Sequence, residues 1–398
     1  MRDVYIVDAV RTPIGKIGGA FKEIGADKLA AHVIQGLLNR QPSPIQVDEV
    51  ILGQARQSGE AANIARVASL RANIPIETTA YTVHRQCGSG LQAVNNAVQQ
   101  IALGLNDVII AGGTESLSTA PFYLSQARYG LGVGNVVLYD SNTESQVNSQ
   151  PTDIYGHITM GLTAENLAEK YHISREAQDA FSLRSQELAL AAIENKLFHD
   201  EIIPYEIKTK KSTTIIDTDE HPRQTSLEQL AKLKPVFKED GTISAGSSSG
   251  RNDGASALLL MSEEKVKKYD LTPKAKIIAQ AVAGVAPEIM GIGPVPATEK
   301  ALAQANLTLD DIDLIELNEA FAAQALAVIQ EGKFKIEKVN VNGGAIAFGH
   351  PIGATGAIIL TKLVYELQRR NGRYGLATLC IGGGQGITTI IENYTFNS

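Results

Sequence analysis

Cys87 stands in HRQCGSGLQAV, at the start of an apolar-periodic stretch running from Gln86 to Gly104. A thiol ahead of a helix faces the positive end of the helix dipole, which favours the thiolate and predicts a lowered pKa. The glycines beside it let a substrate carbonyl approach backbone N–H groups, so the same turn offers an oxyanion hole. A buried structural cysteine is the plain alternative. His350 lies in GGAIAFGHPIGATG, where Pro351 and the flanking glycines keep the ring out of a continuing helix and accessible. A histidine there can serve as base toward a thiol or as donor to an oxyanion, the alternative being an ordinary turn histidine. Cys380 closes an apolar run in LCIGGGQG, and Asn318 and Glu319 close another in LNEAF. Strand ends are where open α/β sheets gather catalytic groups. The competing readings are a core cysteine and, for Asn318, a helix N-cap. Two cysteines and a histidine at such places, with no CxxC or His-x₃-His spacing, fit covalent catalysis better than a metal site.

The elements that must position these groups alternate. Val4–Val7 reads as a strand, Asp27–Arg40 as a helix, Val47–Gln54 as a strand, Gln86–Gly104 as a helix and Asn106–Ser116 as a strand ending past Gly-Gly. The order recurs in Ala297–Phe321, Gly343–Arg370 and Gly372–Gly386, with Cys87 and His350 at equivalent helix starts. This predicts a duplicated α/β fold with sheets buried on both faces. Between the halves, Pro121–Pro151 is rich in Ser, Asn, Gln and Gly with little periodicity. Gly161–Lys196 reads as two helices, and Lys208–Phe237 carries a run of basic residues. A long excursion inside a compact domain is expected to be functional, so it reads as an inserted cap, against a solvated surface loop.

Composition sets the outer bounds. The chain of 398 residues has a net charge of −7, which argues against a nucleic-acid binder. Only two cysteines exclude a disulfide scaffold, and no apolar run approaches the roughly 20 residues of a membrane helix. The N-terminus does not read as a secretory signal, nor YTFNS as a peroxisomal address. A cytoplasmic enzyme is the expectation.

Seven blocks in order resemble the thiolase family over essentially the whole chain. They are CGSGLQA, GGTES, MGLTAENLA, SAGSSSGRNDGA, NEAFAAQ, GGAIAFGHPIGATG and CIGGGQG. The resemblance implies a five-layered α/β/α/β/α core with an inserted loop domain. Residues 1–119 would form the first half, completed by about 244–270. Residues 120–243 would form the insertion, for coenzyme A binding and oligomer contacts, and 271–398 the second half. It implies that Cys87 carries the acyl group, that His350 activates it and, with a water held by Asn318, stabilises the enolate. Cys380 would move the α-proton, and the N–H groups of Cys87 and Gly382 would form a second oxyanion hole. Ser249 would touch the pantetheine, Leu233, Phe237, Ala245, Met290 and Phe321 would wall its tunnel, and Arg223 would meet the nucleotide end.

The implied activity is that of an acetyl-CoA C-acetyltransferase, with a broader-chain 3-ketoacyl-CoA thiolase as the nearest rival. A decarboxylating ketoacyl synthase would use one Cys with two His, and a non-catalytic binder would have lost Cys87 or His350. Coenzyme A would be substrate and product, with no resident cofactor or metal. The partners would be acyl-CoA molecules, with no nucleic acid and no membrane, in a homotetramer joined through Pro121–Asp140. A pair of low-pKa thiols would also permit a Cys87–Cys380 disulfide. Ser247 and Ser248, Thr159 and Gln385 depart from the family pattern, and none of them is one of the implied catalytic positions.

Overall fold

A computed structural model describes residues 1–396; Asn397 and Ser398, included in the expected second half 271–398, lie outside the described residues. In the first half, β1 (Val4–Arg11), β2 (Glu49–Gly53), β3 (Thr79–Val83), β4 (Val108–Ser116) and β5 (Asn252–Ser262) form a sheet in the order β3-β2-β4-β5-β1. β2 is parallel to β3 and β4, whereas β5 is antiparallel to β4 and β1. The helices of this half are α1 (Ala26–Asn39), α2 (Ile64–Arg71) and α3 (Ser89–Leu103).

The excursion leaves after β4 and returns at β5. It contains α4 (Ser141–Val147), α5 (Met160–Lys170) and α6 (Arg175–Glu194). The sequence shows little periodicity over Pro121–Pro151, yet α4 forms there. Asp140 caps it by accepting from the Asn142 N–H at 2.9 Å, a local bond that polar composition hides from a search for apolar spacing.

The second half repeats the first. β6 (Ala275–Gly284), β7 (Ile312–Leu317), β8 (Tyr374–Ile381) and β9 (Gln385–Asn393) run β7-β8-β9-β6 with the same strand senses, and a short antiparallel pairing of β6 with β1 (Tyr5 with Lys276, Ile6 with Ala275) joins the two halves' sheets edge to edge. Val339 bridges in parallel to Ile315 where the missing edge strand would lie. The helices are α7 (Pro294–Ala305), α8 (Ala322–Glu331) and α9 (Ile352–Arg369). Where the first half makes its long excursion, this half turns within Gly382–Gly384.

Apolar surface decides the layering. Leu29, Ile34 and Leu37 of α1 pack on Val50, Ile110 and Leu259 on the outer face of the first sheet. Leu91 and Val94 of α3 share a central core with Leu360 and Leu363 of α9, between Ile109 on one sheet and Leu379 on the other. α7 and α8 cover the outside of the second sheet. That is five layers, α/β/α/β/α. The two central helices meet at their N-terminal ends. A Cβ on Gly90 would lie 2.8 Å from the Gly353 carbonyl oxygen, and one on Gly356 would lie 2.5 Å from the Leu91 nitrogen. This close approach sets the lips carrying Cys87 and His350 side by side.

One buried ionic cluster clamps the excursion to β1. Arg11, 1% exposed, donates from Nε to Glu201 at 2.6 Å and bidentately to Asp219 at 2.7 and 3.0 Å. Removing the cation strands two buried carboxylates, a change that costs about 3–5 kcal/mol in comparable pairs. Arg11→Ala is therefore expected to lower unfolding free energy by about that amount, read as the denaturant midpoint at constant slope. An unchanged midpoint would show that the clamp contributes nothing.

Candidate active site

The site lies where the N-termini of α3 and α9 meet the C-terminal ends of β4, β7 and β8. Gln86, immediately before Cys87, has φ 44°, a left-handed conformation that L-residues adopt only when their surroundings hold them in it. The turn is held by Ser89, whose hydroxyl donates to the Gln86 carbonyl at 2.6 Å and accepts from the Arg85 N–H at 2.9 Å. The backbone N–H groups of Gly382 and of Cys87 itself are directed at the Cys87 sulfur. Gly382 comes from the tight β8–β9 turn, so the second half reaches across to Cys87 of the first. Arg85 also donates to Gln385 at 3.1 Å and ties the two loops together, which gives that departure from the family pattern a structural role.

The expectation of a lowered Cys87 pKa is overturned. Burial pushes the thiol up, against the lowering effects of the Gly382 N–H and the Arg56 charge. Cys380, fully buried at the end of β8, is also raised, first by burial and then by the nearness of Cys87. Helix-dipole arguments treat a charge in water, whereas desolvation penalises the thiolate before any dipole acts. Both cysteines are free, and the premise of two low-pKa thiols behind a Cys87–Cys380 disulfide does not hold.

His350 begins two residues ahead of α9, as Cys87 does ahead of α3. Its backbone N–H donates to Asn252 Oδ1 at 3.1 Å, and Asn252 in turn donates to the Gly15 carbonyl at 2.9 Å. Gly349 (φ 96°) makes this possible, because a Cβ there would sit 2.0 Å from Asn252 Oδ1. The Thr355 hydroxyl donates to the Pro351 carbonyl at 3.0 Å and so accepts at 2.6 Å from His350 Nδ1–H. That network assigns the proton to Nδ1 and leaves Nε2, which has no protein partner, with a free lone pair. Burial and the positive charge of Arg56 push the ring down to about 4.

Two predictions follow from this ring. A base with a pKa of about 4 is neutral throughout ordinary assay conditions. Acyl transfer should stay level on the acid side of neutrality and fall only as pH approaches 4, when Nε2 becomes protonated. An acid inflection near the ordinary histidine value would show that the ring is solvated in solution. Thr355→Val removes the acceptor that fixes the tautomer and is expected to lower kcat roughly tenfold with little change in KM. Thr355→Ser should restore the rate. Equal behaviour of the two variants would reduce Thr355 to packing.

Asn318 directly follows β7 with both amide atoms buried and unpartnered, so it is not capping a helix. Glu319 beside it is structural. It accepts from Ser185 Oγ and Asn340 Nδ2, both at 2.7 Å, and from the Ile346 N–H at 3.2 Å, pinning the loop that carries His350. A cavity of about 170 Å³ opens onto Cys87, His350 and Gly382, walled by Ser249, Phe237, Met290 and Phe321. Phe237 and Phe321 meet edge to face at 5.7 Å. Leu233, Ala245 and Arg223 do not line it. Leu233 is 38% exposed, and Ala245 and Arg223 face solvent.

Sequence reasoning missed the polar wall of this cavity, made by Arg56 beyond β2, Gln86, and Asn142, Ser145 and Ser149 from the α4 region. Only Gln86 carried a signal, its place next to Cys87. Among the described residues no group of three His, Cys, Asp or Glu is arranged to hold a metal ion.

Family models agree with the two-part architecture. The N-terminal thiolase domain matches residues 4–264 and the C-terminal thiolase domain residues 271–393. The chain is 49% identical to an acetyl-CoA acetyltransferase of Syntrophomonas wolfei over 398 aligned residues, covering 98% of this chain and 99% of that protein. The crystal structure of the Bacillus anthracis acetyl-CoA acetyltransferase superposes with a TM-score of 0.96 at 48% identity, covering 99% of each chain. Human mitochondrial 3-ketoacyl-CoA thiolase in complex with CoA gives 0.93 at 46%, covering 98% of each. The duplicated strand order, the paired helix lips and the full-length matches agree: the chain belongs to the thiolase family of acyltransferases.

Proposed function

We propose that this protein is an acetyl-CoA C-acetyltransferase, condensing two acetyl-CoA to acetoacetyl-CoA and free CoA, reversibly. The observation that carries the reading is the convergence on one sulfur. Cys87 Sγ lies under the N–H groups of Cys87 and Gly382, in a cavity that also holds a neutral His350. In the first step Cys87 Sγ bonds to the acetyl carbonyl carbon as its proton passes to His350 Nε2. The two N–H groups stabilise the oxyanion, and the C–S bond to CoA breaks as the proton leaves with CoA. In the second step Cys380 takes an α-proton from a new acetyl-CoA. His350 and a water held by Asn318 stabilise the enolate oxygen, and the α-carbon attacks the Cys87 thioester. The carbon–carbon bond forms as the bond to Cys87 breaks, and the proton on Cys380 returns to Cys87.

Coenzyme A is substrate and product. Its pantetheine lies along Ser249, Phe237, Met290 and Phe321, with the nucleotide end toward the exposed Arg223 and Leu233. The segment 120–243 serves as the CoA-binding and assembly domain. Its exposed apolar residues, Tyr129, Leu131, Val133, Val136 and Val137, support a homotetramer, to be checked by light scattering. No helix among the described residues is long and apolar enough to cross a membrane, and two unpaired thiols suit the cytoplasm.

The polar wall argues against the broader-chain reading. An extended hydrocarbon laid against buried Arg56 would leave a charge desolvated and unpaired. Thiolysis of 3-ketoacyl-CoA substrates of increasing chain length tests this. Activity is expected on acetoacetyl-CoA and should fall steeply on unbranched aliphatic chains. Comparable rates on eight-carbon and longer aliphatic chains would move the enzyme to fatty-acid breakdown.

A further inference from the structure

Arg56 is only 8% exposed and lines the cavity with Cys87 and His350. Its charge is felt by both groups. Its guanidinium is nevertheless without a protein partner at Nε and Nη1, and among the described residues no carboxylate lies within ion-pair distance of it. The nearest candidate, Glu115, is already occupied. Its two oxygens accept from the backbone N–H groups of Ala55, Arg56 and Gly353 at 3.0, 3.1 and 2.8 Å. Those bonds also fix the Arg56 backbone, so the side chain has little freedom to swing out to solvent. The buried Glu115 carboxylate is the main charge that attracts the guanidinium, without a direct bond to it, while Asp140 attracts it more weakly and Arg251 repels it. Beside it in the lining, the buried hydroxyl of Ser145 has no partner either. Unfilled guanidinium and hydroxyl donors lining one cavity are a costly arrangement unless an acceptor arrives to take them.

We propose that the acyl end of this cavity accepts an acyl group that terminates in a carboxylate, with Arg56 as the residue that pairs with it and Ser145 as a second donor. The inference rests on the thiolase reading and extends its substrate class. CoA phosphates do not fit the role, because Arg56 lines the cavity with Cys87, whereas the nucleotide end is proposed to lie toward Arg223 and Leu233, which do not line it. The chemistry is unchanged. In the thiolytic direction Cys87 gives its proton to the Cys380 thiolate as its Sγ attacks the 3-keto carbon of a 3-ketoacyl-CoA whose far end is a carboxylate. The C2–C3 bond breaks, acetyl-CoA leaves with a proton from Cys380 on its α-carbon, and the carboxyacyl group remains on Cys87. Incoming CoA then displaces it as a shorter carboxyacyl-CoA, restoring the thiol.

A matched pair of six-carbon substrates tests this, 3-oxoadipyl-CoA against 3-oxohexanoyl-CoA, assayed by thiolysis with the full-length protein. The wild type is expected to favour the carboxylated substrate in kcat/KM by roughly tenfold or more, the range of one charged hydrogen-bonded pair. Arg56→Leu should erase or invert that ratio, and Arg56→Lys should keep part of it. A wild type that favours 3-oxohexanoyl-CoA, or an Arg56→Leu variant that loses both activities equally, would overturn the proposal. The second result would assign Arg56 to the electrostatics of Cys87. If Arg56→Leu does not fold, the wild-type ratio still decides. Failure on acetoacetyl-CoA as well would instead sink the thiolase activity on which the inference rests.

Discussion

Cys87→Ala is expected to lower acetoacetyl-CoA thiolysis by a factor on the order of 10⁴ or more, with no acetyl adduct on the protein after incubation with acetyl-CoA. The size follows from what the cavity still contains once the sulfur is gone. The base is present and ready, because His350 is neutral with an open Nε2. The N–H groups of Cys87 and Gly382 also remain, so carbonyl polarisation survives. What disappears is the atom that bonds to carbon. Nearby serines do not replace it. The Ser149 hydroxyl donates to the Ser145 carbonyl at 2.7 Å and the Ser248 hydroxyl to the Ser244 carbonyl at 2.8 Å. A hydroxyl is also far less acidic than a thiol. Because Cys87 is half-buried and its side chain small, the variant should fold with little change in melting temperature. Intact mass spectrometry gives the direct reading. An acetyl group accumulating on the alanine variant at the wild-type rate would place the acyl acceptor elsewhere.

The three candidate catalytic residues were legible in the sequence because each sits at a local landmark. Cys87 and His350 open helices after glycine turns, and Cys380 closes an apolar strand. The duplication was legible for the same reason, since alternating elements repeat with their glycine loops. The polar wall was not. Arg56 leaves β2, Ser145 belongs to a polar helix with no apolar stripe, and Gln86 borders Cys87. They meet only through the pairing of β2 with β4 and the return of the excursion over α3. Electrostatics failed in the same way. The position of Cys87 ahead of a helix is a local fact that predicts a lowered pKa, whereas its burial is a property of the folded layers that raises it. Thr355 could have been suspected from its place one turn into the helix after His350. Its role depends on which nitrogen it meets, and that only the folded loop decides.

Cys380→Ser is expected to separate the two halves of the reaction. Acylation of Cys87 should proceed within a few-fold of wild type, because nucleophile, base and both N–H groups are untouched. One equivalent of CoA should be released per site. Condensation and α-proton exchange should fall by roughly 10³-fold or more, the range for losing a positioned general base. The raised Cys380 pKa strengthens this expectation. Burial in an apolar cluster with Ala320, Phe321 and Ala323 makes its thiolate scarce but strongly basic, as removal of a weakly acidic α-proton requires. A serine in the same dry place would need to reach the alkoxide, which burial penalises further. The pH dependence should carry the same sign. Proton exchange in the wild type should climb toward alkaline pH as Cys380 deprotonates, and the serine variant should lose that climb. Deuterium exchange at the methyl of acetyl-CoA, followed by NMR in both proteins, measures the step in isolation. Exchange in the serine variant at the wild-type rate would mean that some other group moves the proton and that Cys380 serves only to fill the core.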